Sequence, residues 1–119
     1  MRIGKLAKLS GLSRDTIRFY EREGLIASVP EEGSSNSYRD YPEDVLERLD
    51  VIGKAQDAGF SLADIKKLTG FWDGQNQDFD GELFLDEKAE EVRKNIERAQ
   101  AFLEMLEATI ASLKVDPRG

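Results

Sequence analysis

Cysteine and histidine are both absent from this chain of 119 residues. Without thiols there is no disulfide framework, and without thiolate or imidazole there is no zinc, copper or mercury site of the kind built from those ligands. The same two absences exclude Cys–His and Ser–His–Asp catalysis, so we expect no catalytic residues, no metal and no cofactor. No apolar run approaches the roughly 18 residues that cross a bilayer, and no signal peptide is visible. We therefore expect a cytoplasmic protein without a membrane partner.

Positive charge is scarce overall, because 17 basic residues face 24 acidic ones and the net charge is −7. Taken alone, this balance argues against a nucleic-acid partner. However, residues 1–39 hold seven basic side chains against five acidic ones, which leaves about two positive charges there and about nine negative charges in the remainder. A basic end on an acidic body can direct one face toward DNA while the rest repels it.

The first 41 residues predict a helix-turn-helix followed by a hairpin. A helix over 3–10 is followed by a turn at Gly11, and Ser13 is suited to cap a second helix over 14–23, which Gly24 would end. Residues 25–29 and 37–41 then predict two strands, because the stretch 31–36 between them is turn-like.

Two further helices and a long periodic segment follow. We expect Pro42 to begin a third helix that ends near Gly59, and a capping box at Ser61 to begin a fourth that ends at Gly70. After an acidic, loop-like linker over 71–82, nine apolar residues alternate at spacings of four and three, which is the a/d pattern of a coiled coil held over about 40 Å. This seam consists of Leu85, Ala89, Val92, Ile96, Ala99, Leu103, Leu106, Ile110 and Leu113. A head of about 70 residues cannot bury so long a stripe, so we expect a second chain to cover it; the alternative is a helix lying along its own head.

Three runs together resemble the MerR family of bacterial transcription regulators. They are residues 3–26 (IGKLAKLSGLSRDTIRFYEREGLI), 37–41 (SYRDY) and 58–65 (AGFSLADI). The resemblance implies a mainly α chain: a winged helix-turn-helix DNA-binding domain over 1–70, the linker over 71–82 and an antiparallel dimerisation coiled coil over 83–114. Residues 115–119 have the composition of a frayed tail.

The same resemblance implies a homodimer that binds near-palindromic promoter DNA, kinks and untwists it between over-spaced promoter elements, and has RNA polymerase as a partner. The inducer, the operator and the sign of regulation are not readable from the residues. The alternative function is a winged-helix module that binds proteins, as in chaperone modulators that resemble this family. The acidic charge favours that alternative, whereas the retained arginines count against it.

Eight residues are candidates for contact with DNA. Side chains at the start of a recognition helix reach base edges, whereas later guanidinium and hydroxyl groups suit phosphates. The candidates are Arg14, Asp15, Thr16, Arg18, Tyr20, Arg22, Tyr38 and Arg39. The alternatives are that Tyr20 and Tyr41 are packing residues, and that Arg14 and Arg18 lie on a solvated helix face.

Some positions depart from the family's habit. Acidic Glu31 and Glu32 stand at the wing tip and Ser37 replaces the usual glycine, while Gly53 and Gln56 occupy sites that often hold arginine. These changes predict weaker and more salt-tolerant DNA binding, and they put a contact from Gln56 in doubt.

The acidic linker itself permits two interpretations. Oxygen ligands between positions 73 and 80 could hold a hard cation, although the spacing is not that of an EF-hand, and a solvated loop is the alternative. The nearby aromatic residues could line a small apolar site, or they could simply pack; they are Phe71, Trp72, Phe79 and Phe84.

Overall fold

A computed structural model describes residues 1–31, 33, 38–74 and 80–115. These residues form five helices and one two-stranded sheet: α1 (Ile3–Ser10), α2 (Arg14–Arg22), β1 (Val29–Pro30), β2 (Arg39–Asp40), α3 (Asp44–Asp57), α4 (Leu62–Trp72) and α5 (Gly81–Lys114). The chain divides into two units, a head over Met1–Phe79 and a second unit over Asp80–Gly119 that contains α5. The mainly α architecture, with a helix-turn-helix, a small wing and a long final helix, is confirmed.

The turn between α1 and α2 forms as its sequence predicts. Gly11 adopts the left-handed conformation (φ 74°), and its N–H donates to the carbonyl oxygen of Ala7 at 3.0 Å. Ser13 then caps α2, since its Oγ accepts from the backbone N–H of Thr16 at 3.1 Å. A non-glycine residue at position 11 would be strained, so this glycine fixes the direction in which α2 leaves the turn.

The head has a hydrophobic core of its own. Its largest fully buried side chains come from α1, α2, the segment after α2, α3 and α4; they are Leu6, Ile17, Leu25, Ile52 and Ile65. Helix α1 packs on α2 and α3, and α3 packs on α4. Complete burial of one such side chain contributes roughly 1.5–3 kcal/mol, so these five residues stabilise the packing of the four helices of the head against one another.

The wing is shorter than the sequence predicts. Leu25 and Ile26 were expected in a strand, but both are buried in the core directly after α2, and β1 begins only at Val29. Two consecutive core residues cannot lie on one face of a strand, because strand side chains alternate between faces. Strands β1 and β2 pair antiparallel, with Val29 opposite Asp40. The expected turn residues 32 and 34–36, and Ser37 at the expected start of the second strand, lie outside the described part of the chain.

Helix α3 begins two residues later than expected. Pro42 is not its first residue; instead Pro42 and Glu43 form a tight turn, in which their carbonyl oxygens accept from the N–H groups of Val45 and Leu46 at 3.1 Å. The helix proper starts at Asp44 and ends before Gly59, as expected.

Helix α4 has the expected capping box but not the expected end. Ser61 and Asp64 each accept from the other's backbone N–H at 3.1 Å. The helix continues through Gly70 to Trp72, so the expected loop does not begin at 71. Arg48 of α3 accounts for the extension, because its Nη2 donates to the carbonyl oxygen of Thr69 (3.1 Å) and to the carboxylate of Asp73 (2.9 Å) at the end of α4. Cationic donors near a helix C-terminus can hydrogen-bond its last carbonyls and interact favourably with the helix dipole.

Helix α5 is 34 residues long, which corresponds to about 50 Å. It starts at Gly81 rather than 83, because the side chain of Asp80 caps it by accepting from the N–H of Leu83 at 3.0 Å. Seam residues lie on its surface: Ile96 is 61% exposed, Leu103 46% and Leu113 80%. Linker residues 75–79, among them Phe79, and tail residues 116–119 lie outside the described part.

Candidate nucleic-acid interface

The starts of α1 and α2 and the wing together line a concave surface of about 530 Å³. We call it the basic concavity; its residues are Arg2, Ile3, Gly4, Lys5, Arg14, Arg18, Tyr38, Arg39 and Tyr41. Five of these nine side chains are cationic, and none is acidic. Four of the eight predicted contact residues therefore meet at one surface: Arg14, Arg18, Tyr38 and Arg39.

Arg14 stands at the first position of α2, directly over α1. A Cβ atom at Gly4 would lie 2.8 Å from Nη2 of Arg14, so the absence of a side chain at position 4 gives the guanidinium room. Arg14 is exposed, and it is held beside the concavity at the end of the helix where base-reading residues are expected.

The next two predicted residues lie outside the concavity. Asp15 has a side chain that is 98% exposed, and one of its carboxylate oxygens lies 3.7 Å from Nη1 of Arg18. The hydroxyl of Thr16 shares a hydrogen bond of 2.9 Å with Ser13, so part of its capacity is used in the helix cap. Arg22 is exposed in the last turn of α2 and does not line the concavity either.

A hydrogen-bonded chain holds the guanidinium of Arg39 on the wing. Its Nε donates to Oγ of Ser28 at 2.8 Å, and its Nη2 donates to the carbonyl oxygen of Ser28 at 3.0 Å. Ser28 in turn donates to one carboxylate oxygen of Glu21 at 2.5 Å, and Tyr41 donates to the other at 2.5 Å. Helix α2 and the wing are thereby linked through Glu21, which fixes Arg39 relative to the recognition helix.

Tyr41 lies in the core, which agrees with the packing alternative rather than with contact with DNA. Its side chain is only 2% exposed. Burial, followed by the hydrogen bond to Glu21 and the negative charge of that carboxylate, raises the pKa of Tyr41 to about 12. The tyrosine therefore stays neutral and supports the concavity from below.

Tyr20 is also placed in the core, with 5% exposure. Its hydroxyl donates to Oε1 of Gln56 at 2.7 Å and so joins α2 to α3. This placement agrees with the packing alternative for Tyr20. The hydrogen bond also gives Gln56, whose contact with DNA was in doubt, a structural role between α2 and α3.

Sequence reasoning missed two cations of this surface, Arg2 and Lys5. Both were counted in the charge of the first 39 residues, but neither was assigned to the site. Their separation of three residues was the available signal, because residues three apart at the start of a helix share one side. Arg2 is engaged by Glu31, whose hydrogen bond and charge raise the pKa of Arg2 above its ordinary value.

Across the described ranges, no group of three or more carboxylates is arranged to hold a metal ion. None of the helices described combines the length and the apolar character needed to cross a membrane.

Comparison with known proteins gives consistent matches. Residues 1–70 match the family described as MerR HTH family regulatory protein, and residues 46–113 match the family described as MerR, DNA binding. The HTH-type transcriptional regulator CueR of Escherichia coli O157:H7 is 35% identical over 107 residues, covering 89% of this chain and 78% of the relative. The mercuric resistance operon regulatory protein of Bacillus cereus is 43% identical over 72 residues, covering 60% of this chain but only 53% of the relative.

A solved structure extends the likeness to the backbone. HiNmlR, described as a MerR family regulator lacking the sensor domain and bound to promoter DNA, superposes with a TM-score of 0.75 at 27% identity. The superposition covers 92% of this chain and 86% of HiNmlR.

Proposed function

Because the chain belongs to the MerR family of regulatory proteins, we propose that it is a transcriptional regulator that binds promoter DNA through the basic concavity. The observation that carries this proposal is the concentration of five cationic side chains on one surface of a chain whose net charge is −7. Phosphate contacts supply most of the affinity for DNA, and a positive surface on an acidic body orients the protein as it approaches.

We assign different tasks to the residues of that surface and to their neighbours on α2. Arg14, together with Asp15 and Thr16 beside the concavity, would meet base edges, since an arginine fork pairs with guanine and a carboxylate can accept from cytosine. Arg18, Tyr38 and Arg39 contact phosphates and fix the register of the head on the duplex. Arg22 extends these contacts along α2, and Tyr20 acts through its link to Gln56.

We propose further that the seam of α5 pairs two chains in antiparallel fashion, with DNA binding in the head and dimerisation in α5. Two heads related by a two-fold axis require a near-palindromic site. Held at a fixed separation, they would kink and untwist the promoter, and such distortion costs several kcal/mol that the contacts of two heads can repay. RNA polymerase would then act on the distorted promoter.

The alternative function, a winged-helix module that binds proteins, is not favoured. The relatives named above are transcriptional regulators, and the concavity retains cations that a protein-binding module would not need. Regulation through a metal bound by thiolates is not favoured either, because this chain has no cysteine.

Selection of genomic fragments by the purified full chain tests the proposal. We expect recovery of near-palindromic sequences from promoter regions, with affinity for them that falls as salt rises. Recovery of no preferred sequence, together with no binding to any duplex at low ionic strength, would contradict it.

A further inference from the structure

Among the described residues, Arg2 is a cation of the basic concavity that is held by a carboxylate of the wing, that of Glu31. Its Nε and Nη2 donate to the two carboxylate oxygens of Glu31 at 3.0 and 3.1 Å, a two-pronged contact between residues 29 positions apart. Its guanidinium carbon also lies 4.2 Å from the centre of the Tyr38 ring. The ring holds the guanidinium in position independently of the carboxylate.

The backbone brings these three residues together. The N–H of Glu31 donates to the carbonyl oxygen of Tyr38 at 3.0 Å, which places both residues in the same rung of the hairpin. The N–H of Tyr41 donates to the carbonyl oxygen of Met1 at 2.6 Å, which fixes the start of the chain beside β2. Arg2 therefore remains at the mouth of the concavity whether or not Glu31 is bound to it.

The contact with Glu31 is of a kind that DNA can replace. The guanidinium fork fits a phosphate in the same two-pronged geometry as a carboxylate. The side chains of Arg2 and Glu31 are 57% and 33% exposed, and ion pairs with such exposure are weak because water and salt screen them. A duplex that lies in the concavity would bring phosphates with a higher local charge density to the same place.

We propose that Glu31 occupies Arg2 as an internal substitute for a DNA phosphate, and that a phosphate takes its place when the head binds DNA. Arg2 is then a phosphate contact of the interface, and Glu31 lowers the affinity of the head by competing for it. This inference rests on the proposed function, since it refines how the same surface meets DNA.

The test compares Arg2→Gln, Glu31→Gln and the double variant with the unmodified chain. The probe is fluorescently labelled duplex DNA of random sequence, titrated at several potassium chloride concentrations, because phosphate contacts dominate binding to such DNA. We expect Glu31→Gln to bind about 1.5- to 5-fold more tightly per head, which corresponds to the strength of an exposed ion pair. We expect Arg2→Gln to bind less tightly and to reduce the slope of log K against log salt concentration by about one per head.

The double variant separates exchange from simple repulsion. If Glu31 only repels the duplex, its removal strengthens binding equally when Arg2 is absent; if Glu31 competes for Arg2, the gain disappears in the double variant. Asp57→Asn is the matched control, since it removes one negative charge from an exposed residue of α3 that does not line the concavity.

The outcomes are distinct. A gain that persists in the double variant, a gain equal to that of Asp57→Asn, or an unchanged salt slope in Arg2→Gln would each overturn the exchange while leaving the proposed function intact. Failure of the unmodified chain to bind any duplex at low salt would overturn both. Circular dichroism of each variant verifies that the head is folded.

Discussion

The head and α5 bury their apolar residues in opposite ways. In the head, side chains from four helices meet in one core, and residues such as Leu6 and Ile17 are completely inaccessible to water. In α5, by contrast, the seam residues form a stripe on the surface, and Leu103 and Leu106 are 46% and 44% exposed. The head thus buries its apolar residues within one chain, whereas α5 leaves its seam exposed.

The head and α5 also differ in the charge of their surfaces. The concavity of the head has five cations and no carboxylate among its lining residues, whereas α5 holds eight acidic and five basic side chains. Several of these pair along the helix, as Arg93 does with Glu90 at 3.0 Å. This division agrees with the proposal that the head meets a polyanion and that α5 pairs with a second copy of the chain.

Among the substitutions that test this difference between the head and α5, we expect the largest effect on DNA affinity from one in the seam. Leu103→Asp places a charge at the proposed interface, where an unpaired carboxylate costs several kcal/mol, so we expect monomers and a loss of at least about 100-fold in affinity for a full site. Sedimentation equilibrium measures the mass and fluorescence anisotropy the affinity. Ala101→Asp is the control, because position 101 lies away from the seam on the same helix. Intact dimers of Leu103→Asp would refute the seam.

A core substitution in the head should act on folding instead. Ile17→Ala removes a side chain with no exposed surface, and we expect it to lower the free energy of unfolding by about 2–5 kcal/mol in urea titrations. Leu9→Ala on α1 is the comparison, since Leu9 is 54% exposed and should cost less than about 1 kcal/mol. Equal costs for the two variants would mean that the head does not have the independent core described above.

Sequence preference should depend on the first residue of α2. We expect Arg14→Ala to cost about 1–3 kcal/mol of binding free energy and to relax the preference at one base pair in each half-site. Competition assays with single-base variants of a selected site measure both effects. An equal loss on every sequence would show that Arg14 touches only the backbone.

High pH should loosen the head through Tyr41. Since the pKa of Tyr41 is about 12 in the folded head and near 10 in the unfolded chain, its contribution is complete below pH 10 and is lost as the pH rises from about 10 to 12. We expect a loss of about 1–2 kcal/mol of unfolding free energy over that interval in excess of Tyr41→Phe, which has no hydroxyl to ionise. If the unfolding free energies of the unmodified chain and Tyr41→Phe fell in parallel between pH 10 and 12, burial and Glu21 would not raise the pKa of Tyr41.

The smallest effect is expected on the wing. Arg39→Ala should weaken binding to all sequences alike, by about 1 kcal/mol, and lower the salt slope by about one. Selected and random duplexes, titrated side by side in salt, provide the measurement. A slope equal to that of the unmodified chain would exclude a phosphate contact from Arg39.

Local rules predicted the parts of the molecule that depend on neighbouring residues. The caps at Ser13 and Ser61 involve partners only three positions away, and the seam is a repeat along one helix. Such features can be read from a sequence because no distant residue decides them. Two of the four contact candidates that meet at the concavity, Arg14 and Arg18, follow in the same way from the position of the recognition helix.

Apart from the starts of α3 and α5, the errors arose where distant residues decide the outcome. Leu25 and Ile26 enter a core that α1 and α3 supply, and Arg48 carries α4 beyond Gly70 from 21 positions away. The pairing of Arg2 with Glu31 joins residues 29 positions apart, so no local pattern reveals it. Propensity gives way to tertiary contacts in each of these cases.

The molar mass of the complex with a selected duplex tests the central claim most directly. Light scattering of the full chain, alone and with DNA carrying one near-palindromic site, should give two chains in both states. Halving the site should abolish tight binding, because two heads joined through α5 must engage one duplex together. A single chain per duplex, with the same affinity for half and full sites, would contradict the account.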